Sequence, residues 1–277
     1  MNLPRHCLAL LGVATAALPL AGWAHVHIQL GFTAGTWDLH VLDFESGRFS
    51  PAEYPFVVAA GARQPVPGDA RFHPFLGQTG NVWILPQTET AGLLNLGLGT
   101  SGIPAGFFSG DQVRLRLHQM DGPGHFALFT LSPFGAPVAP LASRDGVDPA
   151  ADFLVLPAVN GHVHVNWAFT AAGTYRVGLQ ATATLASTGQ AIASPVTEYL
   201  FVVEGPPAPT LGRPVARPDG TWELPVTAPV GTRFELQSTA DLGRWETLGG
   251  FTGTGQPELL PLPGSDDPRQ FYRAVLP

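Results

Sequence analysis

The chain has 277 residues, of which 45% are hydrophobic, so it is long enough to bury one large core or two smaller ones. Its net charge is −7, and all 14 basic residues are arginines scattered along the chain, which argues against a nucleic-acid partner and against an anionic membrane surface. The 33 glycines and 28 prolines favour many short strands joined by tight turns.

The first 24 residues are typical of an export signal. Arg5 precedes an apolar run from 7 to 20, and Gly22 and Ala24 then supply the small residues of a cleavage site. The run of about 14 apolar residues is shorter than the roughly 20 that a membrane-spanning helix needs. We therefore expect an exported protein, periplasmic, cell-surface or extracellular, with no membrane span after signal removal. Cleavage after Ala17 is an alternative to cleavage after Ala24.

One phrase occurs twice in the chain. Residues 25–37 read HVHIQLGFTAGTW, and residues 162–175 read HVHVNWAFTAAGTY. Residues i and i+2 of a strand point to the same side, so each copy places two imidazoles on one face. The two pairs are His25 with His27, and His162 with His164. If two such hairpins lie side by side, the four imidazoles converge on one metal ion, for which Zn, Cu or Mn is the expectation.

Further polar groups extend this candidate metal site. With Ala34 and Gly35 as a two-residue hairpin turn, His40 lies opposite Gln29, shares the face of His27 and becomes a fifth candidate ligand. Two neighbours are candidates for orienting the imidazoles through hydrogen bonds: Asp38 and Asn166.

Two alternatives to metal capture stay open. A sandwich strand needs polar residues on its outer face, and His-Val-His meets that need in a structural or adhesive protein without any ligand. A secreted copper enzyme is the second alternative. Cleavage after Ala24 would give His25 a free amine that chelates copper together with its own imidazole, and would place His27 third, where the amine and backbone amides grip Cu(II).

Residues 111–131 alternate between apolar and polar side chains around the turn DGPG (121–124), which predicts a β-hairpin. Its polar face carries Arg114, Arg116 and His118. That face is a candidate surface for an anionic solute, with an ordinary solvated strand face as the alternative.

The remaining pattern predicts an all-β chain: an antiparallel β-sandwich followed by a smaller sandwich-like domain. Short alternating segments such as TYRVGLQATAT and EYLFVVEG recur up to residue 205. The proline-rich stretch that follows predicts a stiff linker. We therefore divide the mature chain into residues 25–205, a linker at 206–213 and residues 214–277.

The larger domain resembles the choice-of-anchor M group of bacterial surface domains, on GTWDLHV (35–41), VWILPQ (82–87), DGPGHF (121–126) and, most specifically, GHVHVNWAFTAAGTYRV (161–177). Such domains occur in actinobacterial cell-wall proteins and beside ABC-transporter substrate-binding proteins. The resemblance implies an extracellular β domain that captures or relays a solute. This chain lacks the sortase motif of wall-anchored members.

The smaller domain is similar to C-terminal β modules of secreted verrucomicrobial-type proteins, on FELQSTADLGRWETL (234–248) and QFYRAVL (270–276). That resemblance implies secretion and an accessory structural role.

The chain shows no hydrolase elbow, zincin helix, phosphate loop or dinucleotide fingerprint, so an enzyme is not expected. We predict an exported binding protein for a metal ion or metal-linked small solute. Its expected partner is an ABC-transporter substrate-binding protein or a cell-surface component.

Overall fold

The fold is taken from a computed structural model, which describes residues 25–264 and 269–276. The predicted export signal, residues 1–24, lies outside the described residues. Up to residue 205 the strands are β1 (His25–Thr33), β2 (Thr36–Asp43), β3 (Gly47–Phe49), β4 (Phe56–Val58), β5 (Arg63–Pro65), β6 (Asn81–Leu85), β7 (Asn95–Ser101), β8 (Gln112–Asp121), β9 (Phe126–Leu131), β10 (Pro137–Ala142), β11 (Phe153–Pro157), β12 (His162–His164), β13 (Asn166–Phe169), β14 (Gly173–Thr184), β15 (Ala191–Ala193) and β16 (Thr197–Val203).

Helical structure is scarce in the described chain. The α-helix α1 (His73–Leu76) has a single turn. The 3₁₀ turns are Pro51–Glu53, Ala60–Ala62, Ala70–Phe72 and Ser109–Asp111. Within the described residues, no helix has the length and apolar character needed to cross a membrane.

Three sheets make up the larger part of the chain. Their strand orders are β12-β7-β1-β2-β3, β10-β9-β13-β6-β5 and β11-β8-β14-β16-β4, with β15 added to β14. Most pairs are antiparallel, while β1 with β7 and β16 with β4 are parallel. The predicted all-β sandwich class is confirmed.

The core follows the period-two pattern of the strands. Val26, Ile28 and Leu30 of β1 point into the main core, where they meet aromatic residues such as Trp167 and Phe169. The alternate residues of β1, including His27 and Gln29, therefore occupy the other face of the sheet. These two polar residues are also buried.

The first copy of the repeated phrase forms the predicted hairpin. Ala34 and Gly35 have φ values of 51° and 84°, the left-handed conformation that a two-residue type I′ turn needs at both central positions. The register places Thr33 opposite Thr36 and Gln29 opposite His40, as predicted.

The second copy does not form a hairpin. Its residues run through β12, β13 and β14, which belong to three different sheets. The Tyr175 hydroxyl donates to the Ala171 carbonyl at 2.9 Å and accepts from the Ala171 N–H at 3.1 Å. These bonds fix the turn as an arch that connects two sheets. The two copies of the phrase are therefore similar in sequence but not in structure.

The hairpin predicted for residues 111–131 is also wrong. Strand β8 lies in the third sheet and β9 in the second, so the turn between them crosses from one layer to the other. Tyr175 packs directly against Gly122, and its hydroxyl would lie 2.7 Å from a Cβ at Gly124. The two glycines therefore make room for a buried aromatic ring, and no tight strand pair forms.

The C-terminal part contains β17 (Thr210–Leu211), β18 (Val215–Ala216), β19 (Trp222–Thr227), β20 (Arg233–Thr239), β21 (Glu246–Thr252), β22 (Pro257–Leu262) and β23 (Phe271–Val275). These strands form two sheets, β17-β19-β18 with β22 beside β19, and β21-β20-β23. Their buried apolar residues form a separate cluster that includes Leu224, Phe234 and Leu236. Strand β17 falls inside the segment predicted as a linker. The division into two domains stays a prediction.

Candidate metal centre

Four imidazoles meet at one end of the first sheet. His25 and His27 come from β1, and His162 and His164 come from β12; we call them the histidine cluster. One ligand nitrogen from each residue lies within 4.8 Å of the others. The two same-face pairs predicted from the sequence therefore converge.

The strand that brings the pairs together is β7, which lies between β1 and β12. His27 is paired with Gly97 on one side, and His164 is paired with the same Gly97 on the other. The expectation that the two histidine strands are direct neighbours is therefore wrong. Imidazoles reach across the middle strand because that strand presents no side chain between them.

The backbone of Gly97 lies directly beneath the histidine cluster. A Cβ built at Gly97 would lie 2.8 Å from His27 Nε2 and 2.9 Å from His164 Cε1, closer than real Cβ contacts. Gly99, opposite both Gln29 and His162, has a similar role: the Gln29 side chain lies directly over it. Glycine inside a strand commonly marks such a close approach.

The Nε2 atoms form a continuous series of short contacts. His27 and His25 are 3.0 Å apart through these atoms, His25 and His164 are 3.2 Å apart, and His164 and His162 are 2.9 Å apart. A neutral imidazole nitrogen carries either one proton or one in-plane lone pair. His25 Nε2 and His164 Nε2 each face two neighbours, so neither can make two linear hydrogen bonds at once.

A metal ion would satisfy all four Nε2 atoms, because it accepts the lone pair of each imidazole. With zinc–nitrogen bonds of about 2.0–2.1 Å, the edge of a tetrahedron of ligands is roughly 3.3–3.4 Å. The N–N contacts of 2.9–3.2 Å are slightly shorter than that edge. These three contacts form a series, and the four ligand nitrogens together lie within 4.8 Å of one another, so the rings must adjust before all four bind an ion at the centre.

Burial differs across the cluster. His27 is 4% exposed, whereas His162 is exposed and His25 and His164 are intermediate. The alternative in which the histidines are merely solvent-facing strand residues does not describe His27. The cluster is buried on its β1 side and opens to solvent at β12, the edge strand of the sheet.

Phe44 covers the β1 side of the cluster. Its ring stacks on His25 with centroids 4.6 Å apart and meets His27 edge-on at 4.8 Å. The side chain is 54% exposed, so its other face is open to solvent. Sequence reasoning missed this residue, because only the fold places it over the imidazoles.

The turn after β2 holds Phe44 in place. The Phe44 N–H donates to the His25 carbonyl at 3.1 Å. The Asp43 carboxylate accepts from Ser46 Oγ at 2.7 Å, from Tyr54 Oη at 2.9 Å and from the Glu45 N–H at 2.9 Å. These bonds lower the pKa of Asp43 despite its burial and keep the turn rigid.

The cluster favours neutral imidazoles, the form that binds metals. Burial lowers the pKa of His27 to about 3, and repulsion from the other cluster imidazoles adds to the effect. Burial likewise lowers the pKa of His164 to about 4, with further repulsion from His162 and His25. Both lone pairs are thus available well below neutral pH.

The fifth predicted ligand stands apart from the cluster. His40 is not among the grouped residues, and its Nδ1 lies 3.3 Å from Asp38 Oδ2. The Asp38 carboxylate accepts a hydrogen bond from Arg48 Nη2 at 2.6 Å. Burial lowers the pKa of His40, and Asp38 offsets part of that shift. His40 and Asp38 therefore form a separate polar group on the neighbouring strand.

Asn166 does not orient the imidazoles. Its Nδ2 donates to Gln87 Oε1 at 3.0 Å and to the Phe129 carbonyl at 3.1 Å, and its Oδ1 accepts from the Gln87 N–H at 3.1 Å. The residue is buried and links three segments of the second sheet. Its role is to hold the fold where the chain leaves β12.

The geometry of His25 argues against a copper brace. In such a brace the amine and Nδ1 of the same residue close one chelate ring, since Nδ1 is the ring nitrogen nearer the backbone. The atom that His25 directs at the cluster is Nε2. His27 also uses Nε2 there, and its backbone lies within the β1 ladder. An ion in the cluster would therefore be bound by side chains alone.

Comparisons with known proteins do not identify a family for this chain. No family model matches the chain, and no curated protein matches it. Among solved structures, the class 5 fimbriae chaperone CfaA aligns over 61% of this chain and 88% of its own, with 8% sequence identity and a TM-score of 0.18.

Proposed function

We propose that this protein captures a transition-metal ion, zinc or copper, through the histidine cluster. The observation that carries the proposal is the set of Nε2–Nε2 contacts of 2.9–3.2 Å among four imidazoles from two separate strands. Hydrogen bonds alone cannot satisfy all four Nε2 atoms, because His25 and His164 each face two neighbours, and a shared metal ion would satisfy them.

The donor set supports a choice of ion. The grouped ligands are four imidazoles with no carboxylate among them. Imidazole suits Zn, Cu, Ni and Fe, whereas manganese, calcium and magnesium favour oxygen ligands. Of the ions expected from the sequence, Zn and Cu therefore suit the site and Mn does not.

We also propose that capture takes place outside the cytoplasm, and that the ion passes to a component of an importer. The support is the export-signal pattern of residues 1–24 and the resemblance to choice-of-anchor M domains. The open β12 side of the cluster suits release, since exposed His162 is the ligand that a partner or solvent reaches first.

The direct experiment is metal binding by the full chain purified without a histidine tag. We expect about one equivalent of Zn²⁺ or Cu²⁺ after equilibrium dialysis, little Mn²⁺, and a higher Tm. A ligand at 100 times its Kd stabilises the native state by about 2.7 kcal/mol. Replacement of zinc by Co²⁺ should give the visible absorption of a nitrogen-ligated cobalt ion.

The matched variants are His162→Ala/His164→Ala and His118→Ala. The double variant should lose the bound metal and the rise in Tm while it stays folded, because neither side chain lies in the core. His118 is an exposed histidine outside the cluster, so its variant should behave as the parent. The function proposed here is wrong if the parent binds less than about 0.1 equivalent, or if the double variant binds as much as the parent.

A further inference from the structure

A second candidate site lies on the third sheet, away from the strands that carry the histidines. Arg114 and Arg116 project from the outer face of β8, while Leu115 between them is buried in the core. Both guanidinium carbons lie close to the ring of Phe153 on β11, at 4.9 Å and 5.1 Å from its centroid. One aromatic ring therefore holds two cations within about 10 Å of each other.

These two arginines have no acidic partner among the described residues, although the chain as a whole is acidic. Four other arginines of the described chain form ion pairs with carboxylates, namely Arg48, Arg71, Arg176 and Arg217, whereas Arg63 and Arg144 also form none. The Asp152 carboxylate accepts the N–H groups of Ala142 and Asp148 and forms no ion pair with either arginine. Two guanidinium groups beside one ring without an acidic partner make this surface locally positive, which favours an anion.

The orientation of Arg116 is fixed by the fold. Its Nε donates to Thr182 Oγ1 at 3.1 Å, and its Nη1 donates to the Pro149 carbonyl. Its Nη2 makes no hydrogen bond to the described chain, and neither does the Arg114 side chain. The N–H groups that stay available to a ligand are therefore Arg116 Nη2 and those of the Arg114 side chain. Because the Arg116 guanidinium is already fixed, ligand binding costs less side-chain entropy there.

Both arginines line a cleft of about 420 Å³ between β8, β14 and β15. The other polar residues of its wall are Ser109, Gln112, Thr182 and Thr184, and its apolar residues are Ala183, Ala191, Ile192 and Ala193. None of the residues that line it is acidic. Hydroxyl and amide donors beside two guanidinium groups form a typical environment for oxyanions.

We propose that this cleft binds a small solute with two negative charges on oxygen, and that Arg114 and Arg116 neutralise those charges. Phosphate groups and dicarboxylates share this chemistry. This site is separate from the histidine cluster, because it uses a different sheet and different ligand atoms. The protein would then carry one site for a cation and one for an anion.

Isothermal titration of the full chain at constant ionic strength tests the proposal, because fixed salt removes non-specific screening effects. The probes are inorganic phosphate, malonate and, as a monoanion, acetate. We expect at least one dianion to bind at millimolar concentration or below, and acetate to bind at least tenfold more weakly. Preference for phosphate over malonate, or the reverse, identifies the source of the charges.

The variants Arg114→Gln/Arg116→Gln and Arg244→Gln are the comparison pair. The double variant should weaken dianion binding at least tenfold. Arg244→Gln removes an exposed charge elsewhere and should not change it. If loss of the Arg116 hydrogen bonds unfolds the double variant, Arg114→Gln alone decides, since its side chain makes no hydrogen bond in the described structure. Equal affinity in parent and Arg114→Gln, or no dianion binding by the parent, would overturn the proposal.

Discussion

His27 and His164 are both paired with the same residue, Gly97, which lies between them on the middle strand β7. The parallel pair β1–β7 supplies one contact, and the antiparallel pair β12–β7 supplies the other. Because glycine has no side chain, both rings lean over the middle strand and meet. This relationship makes the histidine cluster a product of sheet register.

Gly97→Ala should disrupt the metal site. The new Cβ would lie 2.7–2.9 Å from atoms of His27 and His164, so both rings must move. We expect zinc affinity to fall roughly tenfold or more, and the free energy of unfolding to fall by about 1–3 kcal/mol, a typical cost of overpacking. Competition with a zinc indicator dye and urea denaturation measure the two effects.

Gly68→Ala is the control for that variant, because a Cβ at Gly68 meets nothing within 4 Å and the residue has no positive φ. It should bind zinc as the parent does. Unchanged zinc affinity in Gly97→Ala would mean that the imidazoles do not need the absence of a side chain at residue 97, which would contradict the role given to this glycine.

Phe44→Ala should increase the rate at which metal leaves the site. The ring contacts His25 and His27 and shields their side of the cluster. Supporting groups around metal ligands typically affect affinity by 10–100-fold, so a loss of about tenfold is expected. Stopped-flow chelator competition measures the dissociation rate. Phe134→Ala, which removes a ring that is 94% exposed, should change nothing; a similar effect from both variants would argue against a specific cover.

The metal-free protein should lose stability as the pH falls below 6.5. In the folded state the pKa of His27 is about 3 and that of His164 is about 4, while the unfolded values are near 6.5. Between these values the unfolded chain binds more protons than the folded chain. The contribution is therefore fully present above pH 6.5 and is lost on the way down to about pH 3, at up to about 1.4 kcal/mol per pH unit for His27.

Urea denaturation in the presence of a chelator at pH 7, 6, 5 and 4 checks this slope. Zinc should add stability at every pH at which the cluster stays neutral. A free energy of unfolding that is flat between pH 6.5 and 4 would show that the imidazoles are not desolvated as described.

His40→Ala should leave metal affinity within about twofold of the parent, since its imidazole lies with Asp38 outside the cluster. Stability should still fall by about 1–3 kcal/mol, because the residue is buried. Equilibrium dialysis and thermal unfolding separate the two readouts. Loss of metal binding as large as that of the His162→Ala/His164→Ala variant would instead make His40 a ligand.

Part of this architecture follows from local sequence rules. Period-two alternation is sufficient to place His25 with His27 and His162 with His164 on shared faces. The Ala34-Gly35 turn fixes the register of the first hairpin, including the pairing of Gln29 with His40. These features involve residues that are close in the chain, so backbone geometry alone determines them.

The middle strand of the cluster could not be predicted in the same way. Pairing of β1 with β7 joins distant segments in parallel, and no turn between them sets the register. A signal was nevertheless present in NLGLGTS (95–101), where Gly97 and Gly99 lie two residues apart and therefore on the same face of the strand. Glycines at that spacing indicate that something passes close over the backbone.

The hairpin predicted around the turn DGPG (121–124) was wrong for a related reason. Alternating segments on both sides of a glycine-containing turn are the usual signal for a hairpin. Here the glycines accommodate Tyr175, a residue far along the chain, and the two strands join different sheets. Tertiary packing thus decides between a hairpin and an arch, and the local pattern does not distinguish them.

X-ray absorption at the zinc edge of the zinc-loaded full chain tests the central claim most directly. Four imidazole nitrogens at about 2.0–2.1 Å, with the outer-shell scattering of histidine rings, is the predicted result. A zinc ion surrounded mainly by oxygen, or by fewer than three imidazoles, would show that the cluster does not hold the ion.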